Sequence, residues 1–319
     1  MFFIFALISL SSCGDSNSHV KVLKLGHSLD VNHPTHLGMV AMADLVKEKS
    51  KGKLIIKIYP GGQLGGEKQC LELLQIEGLD LTKVSSAIIE NFAPKYKVLS
   101  LPYIFRDKEH SHRVYDGDIG EELLSDGGKF WLHGLCFYDA GSRSFYTIDK
   151  PIQKPEDLKG LKIRVHKSST PVKMVEAFGG SPTPISYGEL YTSLQQRVVD
   201  GAENNPPSFY TSHHYEVCKY YSLDEHTSVP DVLLVSSHTW KKLSNQEKKW
   251  LSEAAKESVK IQREIWNKFE TMALKKMEEE GVEISYPDKK PFADKVQGIY
   301  DEFRKDTVLN SLIQRIEAQ

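Results

Sequence analysis

The segment from Asn245 to Glu280 holds thirty-odd residues without a single proline or glycine. A proline inside a helix removes a backbone hydrogen bond and clashes with the preceding turn, so its absence permits one continuous helix. Ser244 and Glu247 have the spacing of a capping box, and Gly281 is a natural stop. A helix of that length exceeds what one ordinary domain needs, so it is expected to run across two. Two helices meeting at a kink are the alternative.

The rest of the chain alternates strand-like and helix-like segments. Val22–His27, Lys53–Tyr59 and Leu79–Ser85 read as strands, with an amphipathic helix over Gly38–Lys51 and another over Glu67–Glu77. The order β-α-β-α-β implies a mostly parallel sheet covered by helices on both faces. The pattern restarts after about Ala140, with strands near Arg143–Ile148 and Leu161–Val165 and helices near Ser169–Phe178 and Tyr187–Gln196. Smaller helices over Pro291–Lys305 and Val308–Ala318 end the chain. Two similar units imply an α/β fold of two lobes, for which 319 residues suffice.

A net charge of −2 leaves no basic footprint for nucleic acid. Any anion site must therefore come from a few placed cations. Phe2–Leu10 is almost wholly apolar, too short to span a bilayer and of the right length for the core of a secretion signal. It ends in Leu10-Ser11-Ser12-Cys13, which looks like a bacterial lipobox with Cys13 as the acylated residue. Residues 1–18 are then signal and tether, although a buried N-terminal strand would also suit the apolar run. Cys70, Cys136 and Cys218 have no metal, redox or disulfide spacing and read as small buried side chains.

The stretch Asp157–Pro207 points to chemistry. In DLKGLKIRV, Lys162, Arg164 and His166 alternate with Leu161, Ile163 and Val165, which places three basic or titratable groups on one strand face. A guanidinium fixed on a strand can grip a carboxylate through two parallel charge-assisted hydrogen bonds. This run, with GGSPTPISYGELYTSLQQRVVDGAENNPP after it, resembles the solute-binding proteins of TRAP (tripartite ATP-independent periplasmic) transporters, the dicarboxylate-binding-protein-like family. KLGHSLDVNHPTH, KSKGKLIIKIYPGGQLGGEKQCLELLQ, FAPKYKVLSLPYIFRD and GSRSFYTIDKPIQKPEDLKGLKIRV occur in the family's order, so the resemblance covers nearly everything after residue 20.

The resemblance implies a periplasmic-binding-protein fold with a cleft between lobes and a long helix behind both. It places lobe I at 19–140 plus 229–268 and lobe II at 141–228 plus 269–319. It also makes Arg164 the principal partner of a ligand carboxylate, where the motif-free reading is a surface arginine on a strand edge. Arg143 matches a second cleft arginine, with a charge pair to Asp139 as the competing reading. Asn204 matches a ligand-contacting amide and Asn205 is its neighbour; Asn-Asn-Pro-Pro is also turn chemistry. Glu67 falls at a cleft position and equally suits the first turn of a helix. If it faces the ligand, it accepts from hydroxyls and repels a second carboxylate. Ser85, Tyr187 and His226 fall at cleft positions by the same matching. His27 and His33 lie in the first substrate loop. His33 and His36 have His-x-x-His spacing with no further ligands to complete a metal site.

The expected function is extracytoplasmic capture of a small organic acid, a hexuronate-like sugar acid ahead of a C4-dicarboxylate or keto acid. Lobe closure retains the ligand, and delivery goes to the small and large TRAP membrane subunits. The protein is expected to be monomeric, periplasmic, lipid-anchored and free of cofactor or metal. No P-loop, Gly-x-Ser-x-Gly elbow or His-Glu-x-x-His motif supports an enzyme. A sensory ectodomain and the receptor of an ATP-driven transporter are the competing classes.

Overall fold

The computed structural model describes residues 20–319, so Cys13 and the signal segment lie outside the described residues. In chain order the strands are β1 (Lys21–Gly26), β2 (Leu54–Tyr59), β3 (Leu81–Ser85), β4 (Leu132–Tyr138), β5 (Arg143–Thr147), β6 (Lys162–Val165), β7 (Ser181–Pro184), β8 (Gly201–Asn204), β9 (Tyr220–Thr227), β10 (Asp231–Ser236) and β11 (Glu283–Ser285). They form two sheets, ordered β2-β1-β3-β10-β4 and β11-β9-β5-β8-β6-β7.

The expectation of mostly parallel sheets needs one correction in each. β10 runs antiparallel to β3 and β4, and β5 runs antiparallel to β8 and β9. The cause is connectivity. β4 leads almost directly into β5 of the other sheet, and β9 leads as directly back into β10. A strand entering a sheet straight from a neighbouring one has no helix crossover to turn it parallel.

The long helix is continuous over Asn245–Glu279, with the Ser244/Glu247 capping box formed. Its first half contributes Leu251, Ala254, Ala255 and Val259 to the core under the first sheet. Farther along, Met277 joins the core of the second sheet. The helix thus braces both lobes. Midway, the Gln262 side chain accepts from Asp139 N (3.0 Å) and donates to Asp139 O (2.8 Å), clamping the β4–β5 crossing.

Local departures have local causes. The helix expected over Tyr187–Gln196 starts as a 3-10 turn, Tyr187–Glu189, before Leu190–Gln195. The one expected over Pro291–Lys305 divides into Lys290–Lys295 and Gln297–Phe303 at Val296, whose ψ is 0°. The last helix, Thr307–Glu317, folds back onto residues 94–126, with Arg315 pairing with Glu122 at 2.6 Å and Ile316 O meeting His110 Nε2 at 2.8 Å. Cys70, Cys136 and Cys218 are free and buried. Among the described residues no helix is long and apolar enough to cross a membrane.

Candidate functional site

Short β6 lies between β8 and β7, and its register sets Arg164 beside Ala202 and Thr183. Ile163 and Val165 anchor the strand in the core, which fixes the opposite direction for Arg164. Lys162 on the same face is exposed, whereas Arg164 and His166 are buried. Arg164 is only 1% exposed. Its Nε donates to Ile185 O at 2.8 Å, and its buried Nη1 has no partner among the described residues. Burial pulls this guanidinium below its ordinary pKa, with Glu203 partly opposing. His166 is held well below the usual imidazole range by burial and then by Arg143 and Arg164, so it is neutral.

Arg143, at the start of β5, is in the opposite condition. Its guanidinium clasps the Glu203 carboxylate through Nε and Nη2, and donates to Glu203 O (2.7 Å) and Asn204 Oδ1 (2.7 Å). The competing reading, a charge pair with Asp139, is not what forms; Asp139 meets His112 (3.0 Å) and Lys108 (3.3 Å). Burial alone would raise the Glu203 pKa, but Arg143 and His226 outweigh it and hold it well below the usual carboxylate range. His226 is wholly buried, 2.8 Å from Asp224 and 3.5 Å from Glu203. Against the effect of burial, these two carboxylates push its pKa up to about 9.

From the first lobe, Glu67 begins the helix Glu67–Gln75, and its Oε1 accepts from Lys83 Nζ (2.9 Å) and Ser85 N (3.2 Å). Lys83 also reaches Asp231 Oδ1 at 3.0 Å. The β3–β10 register pairs Asp231 with Ser85 and Leu233 with Lys83, making Asp231 and Lys83 diagonal neighbours on one face. The Ser85 hydroxyl faces Ala87 N as a helix cap.

Two small cavities, about 50 and 30 Å³, lie between these walls and share Ser28, Glu67, His166 and Tyr187. The first reaches Arg164. The second reaches Lys83, Ser85, Arg143, Asn204, Asn205 and Asp231. The Ser28 hydroxyl, like Arg164 Nη1, is buried without a partner. Both atoms belong to residues on the first cavity, one from each lobe. Tyr187 bonds Ser212 Oγ (2.5 Å) and Ser208 O (3.3 Å) through its hydroxyl. Asn205 caps Pro206–Thr211 by accepting from Ser208 N at 2.8 Å, so its turn chemistry coexists with its place on the cavity.

Three of the expected cleft residues line neither cavity. His27 accepts from Leu29 N (3.1 Å) and meets His36 at 3.0 Å, which shapes the loop before Pro34–Lys49. His33 caps that helix, and its Nε2 lies 3.1 Å from Ser208 Oγ, joining the two lobes. His226 lies beneath the Arg143–Glu203 pair. Among the described residues no cluster of His, Cys, Asp and Glu could hold a metal.

A larger cavity of about 460 Å³ sits behind the strand crossings, lined by Asp139–Ser142, Ser228, Pro230 and Glu270. Of its cations, Lys108 lies 3.3 Å from Asp139, Lys289 pairs with Glu225, and Arg106 is exposed and donates to Glu317 O at 3.1 Å. It offers no buried unpaired cation, so the smaller cavities are the stronger anion site.

Residues 25–306 match the family described as bacterial extracellular solute-binding protein, family 7. A TRAP periplasmic solute-binding protein from Xanthobacter autotrophicus Py2, solved with β-D-galacturonate, is 40% identical, covering 93% of this chain and 99% of that one with a TM-score of 0.90. The chain belongs to the TRAP solute-binding proteins. A family member from Bradyrhizobium, solved with α/β-D-galacturonate, is 38% identical over 94% of this chain and 100% of its own, TM-score 0.92. One from Anaerococcus prevotii, solved with α/β-D-glucuronate, is 38% identical over 93% and 97%, TM-score 0.91. These relatives are binding proteins and not enzymes.

Sequence reasoning missed Lys83, Asp231 and Glu203 in this TRAP protein. Asp231 opens a strand after Pro230 and Lys83 interrupts a fully buried one, so a buried strand containing a lysine was the available signal. Glu203 stood in the open, adjacent to Asn204 in DGAENNP.

Proposed function

We propose that this chain captures a hexuronate-type sugar acid in the periplasm, with Arg164 binding its carboxylate. The supporting observation is the Arg164 guanidinium itself: wholly buried, bonded only through Nε to a backbone carbonyl, and carrying an orphaned Nη1 at the cavity. A buried charge without a counter-charge costs several kcal/mol, roughly 3–5 when a partner is lost, and a ligand carboxylate removes that cost. Around it stand Ser28, His166, Tyr187, Asn204 and Glu67, a set of hydroxyl, imidazole, amide and carboxylate groups suited to a polyhydroxy body. Asn204 Oδ1 is occupied by Arg143 and Asn205 N, which leaves its amide N–H groups as donors. Ser85 and Asn205 complete the wall. His27, His33 and His226 act behind it, by fixing the loop, joining the lobes and charging the support under Arg143. The three uronate-bound relatives favour this ligand class over a C4-dicarboxylate.

The role is binding without catalysis. The lobes are 19–140 plus 229–268 and 141–228 plus 269–319, supported by the strands of each sheet falling within one set, with Thr307–Glu317 strapped back onto lobe I. The loaded monomer docks on the TRAP membrane subunits and is tethered through acylated Cys13. A thermal-shift screen of uronates, aldonates, dicarboxylates and keto acids tests the ligand class, because a ligand that binds only the folded state raises the melting temperature. Uronates should give the largest shifts. Larger shifts from dicarboxylates would contradict the assignment.

A further inference from the structure

The Lys83 ammonium is buried between two carboxylates, 2.9 Å from Glu67 and 3.0 Å from Asp231. The three side chains are 3%, 12% and 9% exposed, so solvent screens them little. Two anions and one cation leave this wall with a formal charge of −1. Thr35 Oγ1 adds a donor to Asp231 Oδ2 at 3.3 Å but no charge. Glu67 Oε1 is taken by Lys83 and Ser85 N, while Oε2 has no hydrogen-bond partner among the described residues. Glu67 lines both cavities, so the wall lies across from Arg164.

We infer that the Lys83–Glu67–Asp231 cluster is a charge filter that admits an acid ionised at one end only and turns away the corresponding hexarate, ionised at both. This rests on Arg164 being the carboxylate anchor. With one end of the ligand on Arg164, the other end meets the cluster. A hydroxyl or ring hemiacetal there donates to the free Glu67 oxygen. A second carboxylate there finds an acceptor-only atom of like charge, and Lys83 is already shared by two protein carboxylates. Among the described residues no other buried cation of these cavities is available to it: Arg143 is held by Glu203. Lys68 and Lys167 stand at the exposed rim, where a charge pair is worth little. Lys83 acts through Glu67 and Asp231 as a positioning residue: it lets two carboxylates be buried together while leaving the wall negative.

The test is isothermal calorimetry of wild type, Glu67→Gln and Asp231→Asn with galacturonate and galactarate, and with the acyclic monoacid galactonate as control, because oxidising the second end both adds a carboxylate and removes the ring. Wild type should bind galacturonate at least about 30-fold more tightly, the order of effect expected from juxtaposed like charges. In Glu67→Gln, which keeps the size but removes the charge and puts a donor NH2 in place of the free acceptor oxygen, that ratio should fall by at least about fivefold, with Asp231→Asn moving it the same way. A merely structural role would lower both affinities together and leave the ratio alone. The inference is overturned if wild type takes both acids within about threefold, or if both folded variants, checked by thermal melting, keep the wild-type ratio. Failure of wild type to bind either acid would overturn the Arg164 assignment as well, and so separates the two ideas.

Discussion

Arg143 and Arg164 flank the same strand, β8, yet among the described residues Arg143 has a carboxylate partner and Arg164 has none. Arg143 on β5 is neutralised by Glu203, which β8 presents to it; Arg164 on β6, across β8, is bonded to one backbone carbonyl. The two arginines thus have different physical work. The first is part of the wall, and the second is a cation awaiting an anion.

Replacing them should separate these roles. Arg164→Met should abolish the acid-induced thermal shift while leaving the ligand-free melting temperature unchanged or higher, since an unpaired buried charge is removed. Arg143→Met should destabilise the ligand-free protein by about 3–5 kcal/mol, because Glu203 loses its partner. Urea unfolding of both variants with and without galacturonate checks this.

His226 should make the protein sensitive to alkali. Its folded-state pKa, about 9, lies above the unfolded value near 6.5. Its stabilising contribution is therefore complete below pH 6.5, declines from there to about 9, and is gone above. Unfolding free energy measured from pH 6 to 10 should show this decline in wild type and a flatter profile in His226→Gln.

His27 should act in the opposite direction. Burial, then Lys83 and His36, lower its pKa to about 3. Its contribution is present above pH 6.5 and is lost as the pH falls from there towards 3, because unfolding releases a ring that takes up a proton. His27→Gln should reduce the acid slope of stability between pH 6 and 4.

Ser208→Ala should weaken lobe closure. It removes the 3.1 Å contact to His33 and leaves a buried imidazole nitrogen unpaired. A loss of about 1 kcal/mol, roughly a fivefold change, should be seen mainly as faster ligand release in stopped-flow fluorescence. Equal release rates would place the contact outside the closure equilibrium.

Much of this was legible along the chain. The long helix declared itself by its caps and lack of breakers, and it holds as one element with both ends as expected to within a residue. The period-two run around Arg164 gave both the strand and the direction of its arginine. What stayed hidden was pairing between distant residues. Lys83 and Asp231 are 148 positions apart and meet only because β10 inserts beside β3. Histidines were ambiguous for a related reason: His27 and His33 look like ligand donors in a loop, but their nitrogens are consumed by the backbone amides of that loop and by neighbouring side chains. The reversed strands β5 and β10 were illegible because they depend on which sheet the chain enters next.

The most direct measurement is calorimetric titration of galacturonate and its neutral methyl ester into wild type and Arg164→Met. Saturable one-site binding of the acid to wild type alone, with the ester and the variant both silent, is the predicted result. Binding of the ester as tight as that of the acid, or an Arg164→Met affinity equal to wild type, would contradict the account.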